Sequence, residues 1–329
     1  MTSSMTDWKK LHGDHFNGAR CLVTGGAGFI GSHVVEALHT LGANIVVLDN
    51  LVGGDRKNIA PFKHEFIEAS IIDRDTLGKA MSGCRYVFHL AALGSVPHSV
   101  EKPLDYHAID ASGTVLVLLA ARDAKVKRVM YSASSSAYGE RPGLPKIESM
   151  QPDARSPYAA AKLAGEGYMT AFSASYGLDT ISLRYFNIFG PRQNPNSAYA
   201  AVIAAFAKAI LGDKAPTIFG DGEQSRDFTF VHNAVHANLL AARHESPLMG
   251  DVLNVACGSR VTLNELAPMM CKLLGRGDLK PIYGPERAGD VRHSQADLSR
   301  IKQVLGYEPV VGLEPGLDAT LKWYASVLK

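Results

Sequence analysis

The chain has 329 residues, 46% hydrophobic and 20% charged, enough apolar material for one large core or for a major and a minor lobe. A formal charge of +2 at pH 7 selects neither nucleic acid nor an anionic membrane as partner, although a local arginine cluster can still grip a phosphate. Cys21, Cys84, Cys257 and Cys271 are scattered without CxxC spacing, and the 12 histidines show no ligand spacing on one helix face. Neither a disulfide framework nor a metal site is expected. Residues 1–10 lack the apolar run of a signal peptide, and no later stretch approaches the uninterrupted apolar length of a membrane span, so a cytoplasmic protein is expected.

In chain order, residues 6–11 are either a short helix packed beside the domain or a frayed terminus. Short apolar runs at 20–24, 44–48, 64–67, 86–90, 126–132 and 179–186 read as strands. Between several of them lie helical patterns, clearest at 29–41, 104–121 and 156–176. Such alternation predicts a parallel sheet with helices on both faces. After Pro191 the elements shorten and prolines and glycines become frequent. A helix at 199–211, strands at 217–219, 227–231 and 251–255, helices from Asn233 and from Leu263, and a last helix near 317–328 predict a smaller lobe over the sheet's carboxyl edge. Ligands of open α/β folds bind at that edge.

The sharpest motif is Thr24-Gly25-Gly26-Ala27-Gly28-Phe29-Ile30-Gly31, which follows a strand and opens a helix. Its glycines allow a tight turn and a close approach to a pyrophosphate, and the helix N-terminus offers free N–H groups and partial positive charge. Gly31 lets the helix sit close to the sheet. The second strand ends at Asp49, whose carboxylate suits both ribose hydroxyls of an adenosine and repels a 2′-phosphate. Asn50, not an arginine, follows, so NAD is favoured over NADP. The fold class expected is therefore α/β, a Rossmann-type doubly wound parallel sheet with a smaller C-terminal α/β substrate lobe. Its divisions are an extension at 1–18, an NAD-binding domain at 19–190 and a lobe at 191–329 interleaved with it.

Ser156 and Pro157 suit the start of a helix that carries Tyr158 and Lys162 four residues apart, on one face. A free tyrosine is a poor base at neutral pH; a nearby ammonium, a helix N-terminus and a positive nicotinamide ring would all favour its phenolate. Upstream, Ser134, Ser135 and Ser136 place hydroxyls at a strand's carboxyl end. There they either hold a substrate oxygen while the phenolate takes its proton, or form a polar loop capping a helix.

Taken together, the Gly-rich loop, the serine run, Tyr158/Lys162 and Leu183-Arg184-Tyr185-Phe186-Asn187 resemble the extended short-chain dehydrogenase/reductase family, and within it the UDP-hexose 4-epimerases. The resemblance runs from about Arg20 to the C-terminus. It implies Ser134 as catalytic hydroxyl, Tyr158 as base and acid, and Lys162 as cofactor-ribose ligand that tunes Tyr158. For NAD it implies Gly25, Gly28, Phe29, Ile30, Gly31, Asp49, Asn50, Ile71, Leu90, Ala91, Ala92 and Tyr185 besides Tyr158 and Lys162. Ser135 and Ser136 stand where sugar-nucleotide 4,6-dehydratases carry an Asp-Glu pair, which disfavours elimination.

For a UDP-sugar the resemblance implies Asn187, Arg226 and Arg287 on the diphosphate, the arginines gripping it bidentately. It adds Asp290 on the ribose, the serines 134–136, and Ala201 and Val202. Phe219 is either part of the nucleoside pocket or ordinary core. Ser294 stands where epimerases restricted to UDP-glucose and UDP-galactose carry a tyrosine, so it leaves room for an N-acetyl group. The segment 289–297, the serine triplet and the stretch 196–202 look most like the UDP-N-acetylglucosamine 4-epimerases. Smaller plain hexoses are not excluded by such a pocket. The chain departs from the family at Ser70, usually an aspartate touching adenine, and at Asp110, usually an asparagine at a kink in the helix near the site. The expected activity is NAD-dependent C4 epimerisation of a UDP-hexose by a homodimer pairing through the helices at 104–121 and 156–176. A nucleotide-sugar reductase or dehydrogenase, and a non-catalytic NAD-sensing regulator, are the rivals.

Overall fold

The structure, a computed structural model, describes residues 5–195, 202–286 and 292–328. Seven strands form a wholly parallel sheet in the order β11-β6-β5-β4-β1-β2-β3. They are β1 (Arg20–Thr24), β2 (Asn44–Asp49), β3 (Glu65–Glu68), β4 (Tyr86–His89), β5 (Arg128–Ser134), β6 (Thr180–Tyr185) and β11 (Asp251–Val255). β1, β4, β5 and β6 are buried along nearly their whole length because both faces are covered, and β1 and β4 write this as a nearly continuous apolar run.

The helices of the sheet are α1 (Trp8–His12), α2 (Phe29–Thr40), α3 (Arg74–Met81), α4 (Val96–Glu101), α5 (Pro103–Tyr106), α6 (Gly113–Asp123), α7 (Pro157–Tyr176), α9 (Val231–Arg243) and α11 (Ser299–Leu305). On one face α2, α9 and α11 bury Val34, Leu38, Leu239 and Ile301; on the other α3, α6 and α7 bury Leu77, Val117, Met169 and Phe172. Between α5 and α6 the chain winds a π-turn, His107–Ser112. The run Pro103–Asp123 is by length and composition apolar enough to cross a membrane, which the sequence reading did not anticipate. In the fold its Val117, Leu118 and Ala121 lie in the core beneath the sheet.

The remaining elements are β7 (Ile188–Phe189), α8 (Val202–Leu211), β8 (Thr217–Phe219), β9 (Ser225–Arg226), β10 (Thr229–Phe230), β12 (Val261–Thr262), α10 (Leu263–Leu273), β13 (Ile282–Gly284) and α12 (Leu313–Val327). Their core is separate: Ile203, Phe206, Phe230, Leu266, Met270, Leu317 and Tyr324. One strand was expected at 227–231. Only the two-residue β10 stands there, with β9 just ahead of the span, because Asp227 turns inward and its carboxylate accepts backbone N–H groups from Cys257, Gly258 and Ala296 at 3.0, 3.0 and 3.2 Å. α9 and β11, both beyond residue 190, belong to the layers of the large sheet.

The N-terminal segment takes the packed alternative. Trp8 and His12 are buried, His12 Nε2 lies 3.1 Å from His236 Nδ1, and the Thr6 hydroxyl lies 2.8 Å from His232 Nδ1. Burial pushes His12, His232 and His236 down to about 3, 4 and 4, so the folded protein holds them neutral. An unfolded chain protonates these rings below their ordinary value of 6.5. Protons are then bound by the unfolded state alone, and the stability these three rings contribute falls as pH drops from 6.5 towards about 3, then levels. The melting temperature should follow that course, and His236→Gln, which has no proton to take, should reduce the slope by about one proton's worth. An unchanged slope would place the acid sensitivity elsewhere.

Candidate active site

Where the sheet's winding reverses, β1 and β4 lie side by side and their carboxyl ends open a crevice. Gly25 follows β1 with φ +68°, and a Cβ there would stand 2.7 Å from the Ala91 amide nitrogen after β4. Gly31 is tighter still: its Cβ would lie 2.1 Å from the Gly25 carbonyl oxygen. Only glycine lets α2 start so close to the loop. α2 has Gly28 at its N-cap, no side chain capping it and no acidic residue in its first turn. Its free N–H groups therefore remain available to an anion.

Asp49 is buried at the end of β2, with Oδ2 accepting from Ala27 N at 2.9 Å and Oδ1 from Leu51 N at 2.8 Å. These bonds fix the carboxylate against the glycine loop, and each oxygen keeps a lone pair for a ribose hydroxyl. A cleft of about 1140 Å³ runs from here to the second lobe. Its walls include Gly25, Gly28, Phe29, Ile30, Gly31, Asp49, Asn50, Ser70, Ile71, Leu90, Ala91, Ala92 and Tyr185. The glycine cradle, the uncapped helix end and the acidic strand end fit a dinucleotide.

α7 begins as expected: the Ser156 hydroxyl accepts from Ala159 N at 3.1 Å and Pro157 occupies the first turn. Tyr158 and Lys162 both face the cleft. The Lys162 ammonium, 3% exposed, donates to the Ser132 carbonyl at 3.0 Å and stands 6.0 Å from the centre of the Tyr158 ring. The expected lowering of Tyr158 by Lys162 does not emerge: the lysine is not among the groups that shift the phenol. Burial pushes the phenol up to about 12, hydrogen bonding with Ser134 works against the rise, and Asp110 and Tyr106 add to it. Burial also draws Lys162 down, opposed by Asp110 and Glu166.

At the end of β5 the Ser134 hydroxyl accepts from Ser136 N at 3.2 Å and from the Ser136 hydroxyl at 2.9 Å. All three serines line the cleft, so the polar-loop and oxygen-holding readings describe the same turn. From the second lobe come Asn187, Arg226 and Ser294. Asn187 takes φ +39° and its amide donates to Asp227 O at 3.2 Å. The Ser294 backbone N–H donates to Ser225 O at 3.0 Å, in register with the strand that ends in Arg226. Among the described residues that line the cleft, Phe219 and Val202 do not figure: Phe219 sits in β8 against Gly284, and Val202 opens α8. Ala201, Arg287 and Asp290 lie outside the described residues.

Sequence reading missed several residues of the wall, among them Gln193, His293, Glu140, Arg155 and Lys146. It also passed over Asp227, whose carboxyl burial pushes up to about 6 and which ties the β9–β10 turn to the segment holding Ser294. A lone polar residue between short strands carries no period that would reveal this. Among the described residues no group of His, Cys, Asp or Glu is arranged for a metal ion.

A doubly wound sheet with a glycine cradle at its switch point and a Tyr/Lys pair over the crevice defines a dinucleotide-dependent α/β enzyme fold. Residues 21–256 match the NAD dependent epimerase/dehydratase family. A UDP-glucose 4-epimerase of Mycolicibacterium smegmatis is 38% identical over 93% of this chain and 98% of its own length. A UDP-N-acetylglucosamine 4-epimerase from Methanobrevibacter ruminantium, solved with UDP-N-acetylmuramic acid, is 41% identical, covers 94% of this chain and 99% of its own, and superposes with a TM-score of 0.90. For the Thermus thermophilus UDP-glucose 4-epimerase solved with NAD, the values are 33%, 93%, 98% and 0.83. The chain belongs to the NAD dependent epimerase/dehydratase family, and NAD is its cofactor.

Because the Gly31 approach is backbone against backbone, Gly31→Ala should lower stability by about 1–3 kcal/mol and strip NAD from the purified protein. Gly78→Ala in α3, where a Cβ meets nothing within 4 Å, is the control and should melt no lower than the parent. Full NAD content in Gly31→Ala would contradict the packing account.

Proposed function

We propose that the protein interconverts the C4 epimers of a UDP-hexose on a retained NAD, with UDP-N-acetylglucosamine and UDP-N-acetylgalactosamine as the main pair and UDP-glucose and UDP-galactose also admitted. The observation that carries this reading is one continuous cleft. It joins the glycine cradle, the Tyr158–Ser134 pair and the second-lobe residues Asn187, Arg226 and Ser294.

In this reading Ser134 holds the C4 oxygen and Tyr158 removes its proton, while Lys162 stays an ammonium beside the cofactor ribose. Bound NAD would supply a hydride acceptor and donor for C4 and a positive charge in the cleft. Asn187 and Arg226, with Arg287 from outside the described residues, keep the diphosphate anchored while the 4-keto sugar turns over. Tyr158 then gives the proton back. No net oxidation occurs, so the cofactor has no need to leave. Neutral hydroxyls at Ser135 and Ser136 offer no acid and base for elimination, which supports epimerase over dehydratase. Half-buried Ser294, small at the sugar end of the wall, supports an N-acetylated substrate. Self-pairing through the helical run from α5 to α6 and through α7 belongs to the same reading; Leu104 on α5 and Tyr168 and Tyr176 on α7 are exposed.

Purified protein given UDP-N-acetylglucosamine and no added NAD should yield the galacto epimer, and Tyr158→Phe should lose about 10²–10⁴ of the rate. Stoichiometric consumption of added cofactor would point to a reductase instead. Ser294→Tyr should abolish turnover of the N-acetylated pair while sparing UDP-galactose; equal loss on both would remove the steric basis for the substrate assignment.

A further inference from the structure

The segment that carries Ser294 is held along both of its edges. On one, His293 is bridged to Ser225: Ser225 N donates to Arg292 O and Ser294 N to Ser225 O, both at 3.0 Å. On the other, Ala296 is bridged to Lys146: Lys146 N donates to Gln295 O at 2.7 Å and Asp297 N to Lys146 O at 2.9 Å. Bridged residues point the same way, and residues two apart in an extended segment share a face. Arg226, which follows Ser225, therefore shares a face with Ser294, and so do Ala296 and its partner Lys146. Arg226, Ser294 and Lys146 all line the cleft. They cross its wall in that order, from the arginine assigned to the diphosphate, past Ser294, to the lysine.

Lys146 is 6% exposed, yet its ammonium donates only to a backbone carbonyl, that of Arg141. The acidic residues of the same stretch of chain are committed elsewhere. Glu148 accepts from Asn254 N at 2.8 Å, Asp153 holds Arg155 Nε at 2.9 Å, and Glu140 stands 3.7 Å from the same guanidinium. Among the described residues no carboxylate lies at ion-pair distance from Lys146. Burial draws the amine below the ordinary lysine range, with no acidic group opposing it. A buried ammonium with donors to spare and no counter-charge is costly unless something that enters the cleft completes it.

We propose that Lys146 is a specificity-determining residue: its ammonium donates to the carbonyl oxygen of the acetamido group that the sugar lodges beside Ser294. The proposal rests on the epimerase reading and deepens it. A small residue at 294 only makes room, and room admits a small hexose as readily as a large one. A donor that loses its water when the site fills acts differently. It favours the ligand that returns an acceptor and penalises the one that does not. The acetamido oxygen is an acceptor that N-acetylated sugars carry and plain hexoses lack. A C2 hydroxyl in its place is shorter and leaves the ammonium unmet. Ser294 and Lys146 then divide the selection, one by space and the other by attraction.

The test is binding to the NAD-loaded Tyr158→Phe protein, in which no sugar is converted during a calorimetric titration, with and without Lys146→Met. The methionine keeps the apolar stem and removes the ammonium. It should weaken UDP-N-acetylglucosamine, UDP-N-acetylgalactosamine or both by about ten- to hundredfold, and UDP-glucose and UDP-galactose by less than about twofold. One epimer alone can show the loss, because the acetamido group moves when the ring turns over. Equal weakening of N-acetylated and plain sugars would mark a structural role or a contact with a shared hydroxyl, and overturns the proposal. So does no weakening of either pair. Lys146→Gln, neutral but still a donor, serves if the methionine variant does not fold, and must show the same selectivity. Should the parent convert none of the four sugars, the epimerase reading fails, while the four dissociation constants still decide the role of Lys146.

Discussion

Taking an ammonium out of water costs several kcal/mol even after the protein relaxes around it, and the catalytic half of this molecule is arranged around one such group. Lys162 reaches its buried position because α7 lies almost flush on β5. At Gly165 a Cβ would come within 2.3 Å of the Tyr131 hydroxyl oxygen, so only glycine permits that approach. The ammonium meets the Ser132 carbonyl and the face of Tyr131, 5.0 Å from its ring centre. One turn further along α7, Glu166 locks the helix to β6 through Arg184. Tyr158, one turn earlier on the same face, is placed over the crevice by the same docking. The position of the phenol thus follows from the helix packing, to which its hydrogen bond with Ser134 and its edge-on contact with Tyr106 add.

The cofactor side obeys a different constraint, the approach of backbone to backbone. Gly25 meets Ala91 and Gly31 meets Gly25 at distances that admit no side chain. The second lobe brings a third device. Asp227 spends its carboxylate on three backbone N–H groups and so holds the turn behind Arg226 against the segment carrying Ser294. The three devices converge on one cleft, and each uses a buried polar or backbone group whose satisfaction depends on the fold being complete.

Much of this was readable in the sequence, for reasons that explain what was not. The strands 20–24 and 251–255 match residue for residue, the first as an apolar run between Arg20 and Thr24, the second as a short valine- and leucine-rich segment opened by Asp251. The glycine loop and Tyr158/Lys162 were legible because the chemistry fixes residue type and spacing together. The strand expected at 227–231 shrinks to β10 and β9 went unremarked, since a two-residue strand has no period and an inward-turning aspartate looks like any polar residue. α3 and α11 went unremarked: α3 carries a charged first turn, and α11 is only seven residues long. Lys146 went unremarked. That its backbone pairs with the segment carrying Ser294, and that the acidic residues of its own stretch are already taken, are facts of three-dimensional neighbourhood with no trace in the local sequence.

The account centres on a hydride and a proton that leave C4 and come back to it without escaping the cleft. It is tested most directly by letting the enzyme act, in ordinary water, on a mixture of C4-deuterated and unlabelled UDP-N-acetylglucosamine and analysing the galacto product by mass spectrometry. The account predicts that every deuterium remains at C4 of the molecule that carried it in. Deuterium lost to solvent, or passed to sugars that entered unlabelled, would contradict it.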